Sequence, residues 1–337
     1  MSKSIVLTGI TTTGTPHLGN YAGAIRPAIQ ASKNANVRPF YFLADYHALI
    51  KCQEPARVKQ SSLEIAASWL ALGLDTANAV FYRQSDVPEI LELTWMLTCV
   101  TAKGLMNRAH AYKAAVAENE ETEGHDPDTG ITMGLFSYPI LMAADILLFN
   151  AQQVPVGKDQ IQHIEMARDI ASRFNHIYGE HFVLPEAVLA DNAATLLGLD
   201  GRKMSKSYNN TIPIFEEEKK LRKLINKIKT NSLEPGVPKE TENCTLFGIY
   251  QAFAHPHEIE EIRNRYAEGI AWGEMKQILF EKINAEIAPA RDRYEALLAS
   301  PGHIEQELKD GAEKARAITV PFIKTLREAV GISPIFS

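Results

Sequence analysis

Short apolar runs alternate with helix-spaced apolar positions through the first two hundred residues of the chain. Ile5-Val6-Leu7-Thr8, Phe40-Tyr41-Phe42-Leu43-Ala44 and Ala79-Val80-Phe81-Tyr82 are short, apolar and β-branched or aromatic, which predicts buried parallel strands. Between them, Tyr21 to Lys33 and Ala56 to Gly73 carry helical spacing, the second with Trp69 and Leu70 on its apolar side. A further strand is expected to end at Gly157, after Val154-Pro155-Val156. Strand–helix alternation predicts an α/β fold, a doubly wound parallel sheet of Rossmann-like type with right-handed crossovers. From Phe215 onward strand patterns stop, and helices are expected over Glu258–Glu268, Trp272–Ile287, Ala290–Ala299 and Gly311–Val330. The pattern divides the chain into an α/β domain over residues 1–210 and an all-helical domain over 211–337, with the last helix free to fold back onto the first. An insertion over about 95–135 contains the polar stretch Glu118 to Asp128, which Gly124, Pro127 and Gly130 mark as a surface loop.

Composition narrows the class without naming a chemistry. A chain of 337 residues with 45% hydrophobic and 23% charged residues is an ordinary globular protein long enough for two domains. No stretch approaches the apolar length of a membrane span, so no membrane partner is expected. Cys52, Cys99 and Cys244 are far apart and lack CxxC spacing, which predicts neither a disulfide framework nor a zinc ribbon and points to a reducing, cytoplasmic setting. The net charge of −6 argues against a general nucleic-acid coat. It leaves room for a local basic face, because binding needs a patch and not a total. The run from Glu216 to Lys229 offers one: Leu221, Leu224, Ile225 and Ile228 follow helical spacing and leave lysines opposite. A solvated surface helix and a nucleic-acid contact are both compatible with it.

In open α/β sheets ligands bind beyond the carboxyl ends of the strands. Two segments about 185 residues apart carry phosphate chemistry. Gly14-Thr15-Pro16-His17-Leu18-Gly19-Asn20 lies between the first strand and a helix, where backbone N–H groups and the helix dipole attract phosphate. Hydroxyls of Thr11, Thr12 and Thr13 just before it can also donate to phosphate. Gly201-Arg202-Lys203-Met204-Ser205-Lys206-Ser207 puts two lysines among small hydroxyls, cations suited to a departing pyrophosphate.

A lone carboxylate, Asp145, stands inside the apolar run Tyr138 to Phe149. An unpaired acid in a core costs several kcal/mol, so Asp145 needs a partner or a cavity. It is either a cap or buried ion pair, or the floor of a small pocket, where a carboxylate matches an indole N–H in polarity and number. Met142 supplies a polarizable apolar edge beside it. Downstream, Gly157-Lys158-Asp159-Gln160 follows a strand, and Asp159 can accept from a ribose hydroxyl pair. Asp159 and His163 are spaced four apart with no third ligand in view, so no metal site is expected. His47 sits at a strand's carboxyl end, as a structural hydrogen-bonding residue or as part of the pocket.

These segments resemble the two signatures of the class I aminoacyl-tRNA synthetases. Lys203-Met204-Ser205-Lys206-Ser207 matches one letter for letter. His17-Leu18-Gly19-Asn20 matches the other with Asn in the final place, a departure common among the tryptophanyl-tRNA synthetases. The resemblance spans nearly the whole chain and implies activation of L-tryptophan by ATP, with Mg2+ on the triphosphate, and transfer to tRNA(Trp) by a homodimer. It implies catalytic or phosphate contacts for His17, Asn20, Lys203 and Lys206, and an adenine contact at Gly19 and through the backbone of Leu196. ATP contacts extend to Gly157, Lys158 and Asp159 and to Met204, Ser205 and Ser207. The tryptophan pocket would comprise Asp145, Tyr138, Met142, Gln160 and His47, with Met142 where tyrosine-specific relatives carry Gln. Lys113, on the helix before the acidic loop, resembles a family position that helps hold the ATP phosphates, and a solvated lysine fits equally.

Two departures stand out. Gly9-Ile10-Thr11-Thr12-Thr13-Gly14 replaces the family's Gly-Ile-Gln-Pro-Ser-Gly, so Thr11 stands for a ligand-reaching Gln; Lys158 replaces a Glu. The rival readings are the tyrosine-specific enzyme of the same fold, a nucleotidyltransferase sharing the His-x-Gly-x loop, and a non-catalytic synthetase-like RNA-binding protein. The intact Lys203–Ser207 loop argues against the last.

Overall fold

The computed structural model describes residues 4–12, 14–34, 36–121, 126–157, 160–189, 196–332 and 334. Five strands form one parallel sheet: β1 (Ser4–Thr11), β2 (Val37–Ala44), β3 (Val80–Arg83), β4 (Gln153–Val156) and β5 (Glu186–Leu189). Their spatial order is β3-β2-β1-β4-β5. The order reverses between β1 and β4, so the crevice that such sheets use for ligands opens there. β5 was not expected from the pattern. Three of its four residues are exposed, so it lacks the apolar run that marks β2, whose last six residues are all buried.

Alternate residues of β2 feed two different cores, as the two-residue period of a strand requires. Tyr41 and Leu43 pack with Leu18, Trp69 and Phe81, and beyond them with Leu221, Ile225, Phe247 and Leu279 of the helical part. Phe40 and Phe42 pack on the other face with Leu7, Tyr82, Ile140, Ala144 and Ile164. The largest fully buried side chain, Trp69, lies with its ring centroid 5.1 Å from Tyr41 and 6.2 Å from Phe81.

The helix after β1 is less regular than its spacing predicts. α1 (Leu18–Asn20) passes through one π turn (Tyr21–Ile25) into α2 (Arg26–Ser32). Pro27 has no N–H for the carbonyl one turn back, and the wider turn, with Arg26 N–H bonding Tyr21 O, takes up the mismatch. α3 (Asp45–Ala48) and α4 (Pro55–Ala71) follow β2. α5 (Glu89–Val100), α6 (Lys103–Met106), α7 (His110–Glu120) and α8 (Met133–Leu147) lie between β3 and β4, and α9 (Ile161–Tyr178) follows β4. The acidic stretch expected as loop from Glu118 is helical as far as Glu120.

The remaining helices are α10 (Glu218–Asn226), α11 (Thr245–Phe253), α12 (Pro256–Ala267), α13 (Trp272–Ala299) and α14 (Pro301–Val330). Two expectations are corrected here. α13 is one helix through Pro289, not two, and α14 begins at Pro301, ten residues before Gly311. Proline inside a helix deprives the carbonyl four residues earlier of its donor. For Pro289 that residue is Ala285 and for Pro321 it is Ala317, both exposed, so water can serve instead. Gly311 is an interior residue of α14, and its role is contact: a Cβ there would lie 1.6 Å from the Phe81 carbonyl oxygen. The absent side chain lets α14 lie directly on β3, the edge strand. Arg83 to Glu305, Arg316 to Glu89 and Arg327 to Glu92 clamp the helix along that edge.

Candidate active site

Beyond the carboxyl ends of β1 and β4 opens a cavity of about 600 Å3, within the range that holds small molecules. Its floor is helix α8. Tyr138, Met142 and Asp145 are spaced four and three apart, so they share one face, and all three border the cavity. Thr11, His47, Gly157 and Gln160 border it too, with apolar walls from Leu7, Phe42 and Val154 among others. The pocket residues expected from the sequence are thus gathered in one space.

Asp145 is 1% exposed, and both of its oxygens are hydrogen-bonded. His47 Nε2 lies 2.9 Å from Oδ2, and Gln84 Nε2 donates to both oxygens at 2.8 and 3.0 Å. Burial pushes the carboxyl up from the usual carboxylate range, while His47 and then Gln84 pull it back. The two partners hold the carboxylate plane and leave acceptor capacity toward the cavity. Gln84 is itself fixed, because its Oε1 accepts the Tyr46 N–H at 3.1 Å. The sequence reading missed Gln84; the only signal is a polar residue at the carboxyl end of a buried strand. Opposite, Gln160 Oε1 meets His163 Nδ1 at 2.8 Å, and His163 Nε2 meets the Tyr138 hydroxyl at 2.7 Å. His163 is buried inside this relay.

The phosphate-type loops are not among the residues that line this cavity; the first of them follows the carboxyl end of β1. His17 Nδ1 accepts the Asn20 N–H at 3.4 Å and Asn20 Oδ1 accepts the His17 N–H at 3.1 Å, a reciprocal cap on α1. Burial, and then the Lys206 charge, bring His17 down to about 4. The ring is therefore neutral at neutral pH. With Nδ1 accepting, the proton sits on Nε2 as a donor. Gly19 leaves room for that ring: a Cβ would fall 3.1 Å from two His17 atoms and 3.6 Å from Met204 Sδ.

Backbone bonds tie the two loops together. Leu18 N–H donates to Ile212 O at 2.9 Å and Ile214 N–H to Pro16 O at 3.1 Å. The lysine loop hangs from a small hairpin, in which Met204 N–H donates to Leu196 O at 2.8 Å and Leu197 pairs with Lys203. That bond ties down the Leu196 backbone, which the resemblance places against adenine. Asn210 organises the turn: its Oδ1 accepts the Ser205 N–H, and its Nδ2 donates to Asp200 and to Lys203 O. The residue is 2% exposed, and Gly198 has no Cβ because one would sit 2.4 Å from Asn210 Cγ. Sequence reading took Asn210 for a domain boundary. Lys206 is exposed as a residue, but its ammonium turns in over Gly14. Lost solvation, and then the Arg57 charge, push it down to about 8.

Other expected site residues fall differently. Thr12 is fully buried, and its hydroxyl has no hydrogen-bond partner among the described residues. Asn20, Lys203 and Ser207 are exposed at the loop surfaces, and Ser205 Oγ caps the short turn after it by accepting the Ser207 N–H at 3.3 Å. Lys113 is exposed on α7. Thr13, Lys158 and Asp159 lie outside the described residues. Among the described residues no group of three or more His, Cys, Asp or Glu side chains is placed to hold a metal ion. No helix there is long and apolar enough to cross a membrane.

Comparison with known proteins adds a second line of argument. The family model described as tRNA synthetases class I (W and Y) matches residues 1–287. A tryptophan–tRNA ligase of Pseudomonas aeruginosa is 63% identical over 330 residues, 97% of this chain and 73% of its own length. The enzyme of the same name from Neisseria meningitidis is 59% identical over 335 residues, 99% of this chain and 100% of its own. The crystal structure of Campylobacter jejuni tryptophanyl-tRNA synthetase, complexed with ADP and tryptophan, superposes with a TM-score of 0.87 at 45% identity, covering 97% of this chain and 99% of that one.

Proposed function

The chain belongs to the class I tRNA synthetases of the tryptophan and tyrosine family, and we propose a division of labour for the cavity and its loops. Its activity is tryptophan–tRNA ligation: tryptophan is activated with ATP to the adenylate, then passed to tRNA(Trp). The tryptophan carboxylate attacks the α-phosphorus and pyrophosphate leaves; the terminal ribose hydroxyl of the tRNA then takes the acyl group and AMP leaves. Neither step needs a covalent enzyme intermediate, so positioning and charge stabilisation carry the rate.

One observation carries the assignment of the pocket: Asp145, aimed by His47 and Gln84, is a fixed acceptor in an apolar cavity. An indole N–H is a donor only and completes it. Met142 and Tyr138 flank the ring on the same helix face, and Gln160, steadied through His163, faces the amino-acid backbone. His17 Nε2, Asn20, Lys203 and Lys206 meet the triphosphate, while Gly19, Leu196 and Met204 border adenine. Asp159 accepts from the ribose, with Gly157 and Lys158 as further ATP contacts; Thr11, Thr13, Ser205 and Ser207 supply donors to phosphate, while the Thr12 hydroxyl, fully buried, is out of a phosphate's reach. Magnesium belongs to the substrate, bound mainly by phosphate oxygens, as its chemistry favours. ATP–pyrophosphate exchange tests the reading against each of the twenty amino acids. Tryptophan alone should support rapid exchange; faster exchange with tyrosine would overturn the pocket assignment.

Residues 1–210 carry this chemistry and the helical part over 211–337 meets the tRNA. α10 supports the latter: Leu221, Ile225 and, just beyond the helix, Ile228 are buried while Lys220, Lys223 and Lys227 face solvent. Replacing the three lysines by Gln should flatten the salt dependence of charging and spare pyrophosphate exchange. The protein is a cytoplasmic homodimer in this reading. Leu91 and Trp95, one turn apart on α5, are 42% and 70% exposed, an apolar face that a second copy would cover. Sedimentation at the monomer mass would remove the dimer.

A further inference from the structure

The turn that extends α3 brings a second residue of that short helix to the cavity. His47, which meets Asp145 Oδ2 at 2.9 Å, stands on α3. The chain goes on turning past Ala48. Ile50 N–H donates to His47 O at 3.3 Å, and the N–H groups of Lys51 and Cys52 both donate to Ala48 O, at 3.1 and 2.9 Å. Lys51 therefore follows His47 by one turn, and residues four apart on a turning chain share a face. Both border the cavity. Ile50 seats this turn against the start of α8, where a Cβ at Gly134 would lie 3.8 Å from Ile50 Cγ1.

Lys51 is the one lysine or arginine among the described residues that line the cavity. It is exposed, so it stands at the mouth, while Asp145 is buried at the floor. Among the described residues its ammonium has neither a hydrogen bond nor an ion pair within the protein. Tryptophan arrives as a zwitterion with three polar groups to place. Asp145 suits the indole N–H, and Gln160 and Tyr138 border the cavity beside the amino-acid backbone. The α-carboxylate is an acceptor only and carries a negative charge. It enters a cavity that already holds the Asp145 carboxylate, and it must then approach a negatively charged phosphate. In a poorly solvated space such repulsion is costly unless a cation lies close. One helical turn, a rise of about 5.4 Å, separates the residue that holds the indole acceptor from this cation. The indole nitrogen and carboxylate of one tryptophan span a comparable length. A compact ammonium on a flexible stem can follow the carboxylate through the reaction.

We propose that Lys51 binds the α-carboxylate of tryptophan at the cavity mouth, opposite the indole acceptor at the floor. This rests on the assignment of the cavity to tryptophan. Lys51 pairs with one carboxylate oxygen while the other forms its bond to the α-phosphorus and pyrophosphate departs with the electrons of the broken bond. The acyl group of the adenylate has lost its charge, so the ion pair belongs to the bound substrate and weakens in the product. Its contribution therefore falls on binding and not on the chemical step.

Lys51→Gln tests it. The residue is exposed, so the thermal midpoint should stay at the wild-type value. Titration calorimetry on the full chain should show tryptophan bound about tenfold more weakly, with the Kd for ATP unchanged. In ATP–pyrophosphate exchange the loss should appear in KM for tryptophan and leave kcat within a few-fold. Tryptamine, which keeps the indole and the amine but has no carboxylate, should inhibit wild type and variant alike. Lys51→Arg should retain most of the tryptophan affinity. An unchanged Kd for tryptophan would overturn the proposal, as would equal weakening of tryptamine, or weakening of ATP in place of tryptophan. Wild-type protein that binds neither tryptophan nor tryptamine would instead sink the pocket assignment beneath it.

Discussion

The cavity over α8 and the lysine loop are prepared in opposite ways. In the cavity Asp145 is buried, and its partners His47 and Gln84 belong to the protein. In the lysine loop, Lys203 and Lys206 are exposed as residues, on a turn held by the buried Asn210. The first arrangement is set before binding, so recognition loses little to reorganisation. The second keeps its cations on an exposed turn. In the proposed reading, specificity resides in the buried, pre-oriented acceptor and catalytic power in the exposed loop cations.

The sharpest way to break that contrast is Asp145→Ala. It leaves an indole N–H unpaired and should cost about 2–4 kcal/mol in kcat/KM for tryptophan, with ATP binding little altered. His47 and Gln84 would lose their acceptor as well, so calorimetry should show a lower thermal midpoint. Near-normal tryptophan activation in a merely destabilised protein would make Asp145 structural.

Next in size is Lys206→Ala. Rapid-quench measurement of adenylate formation should find kcat reduced about a hundredfold, with both KM values within a few-fold of wild type. An unaltered chemical step would take this loop out of the active site.

Gln84→Leu probes whether the indole end depends on prior orientation. It removes two donors from Asp145 and leaves the carboxylate in place. Tryptophan should bind about tenfold more weakly by equilibrium dialysis, and ATP as before. Tight tryptophan binding in this variant would mean that His47 alone orients the acid.

The gentlest test is pH. Lys206, at about 8, is charged below that value and neutral above it. The free enzyme's kcat/KM for ATP should hold steady from mildly acid pH to neutrality and decline as pH rises through about 8. His17, at about 4, stays neutral across this range and adds no limb of its own. Lys206→Arg should abolish the alkaline decline; a decline that persists belongs to another group.

Much of this was legible in the sequence. Buried parallel strands announce themselves as apolar runs, and the turns after them carry the small and basic residues that phosphate requires. Asp145 stood out because a charge inside an apolar run demands an explanation. What stayed hidden were partners supplied across the fold. Gln84 lies sixty-one residues from the acid it aligns. Asn210 marks only a domain boundary in the sequence until its side chain is seen inside the lysine loop. Gly311 reads as a helix start, because a close approach to a distant strand leaves no local pattern. β5 was missed for the opposite reason: a mostly exposed edge strand has no apolar run to detect.

The seat of α14 on β3 has a consequence for how the molecule is made. During synthesis the N-terminal residues emerge first, so β1 to β5 can assemble while residues 301–330 are still inside the ribosome. Until then β3 is an uncovered edge with the Phe81 carbonyl bare, the kind of edge on which other nascent chains can pair. The last long helix thus acts as a late closing piece, and the glycine that admits it is a timing device as much as a packing one. A chain stopped at Ser300 should form soluble aggregates that bind a hydrophobic dye. Supplying a peptide of residues 301–330 in trans should suppress them, and the same peptide with Gly311→Val should not.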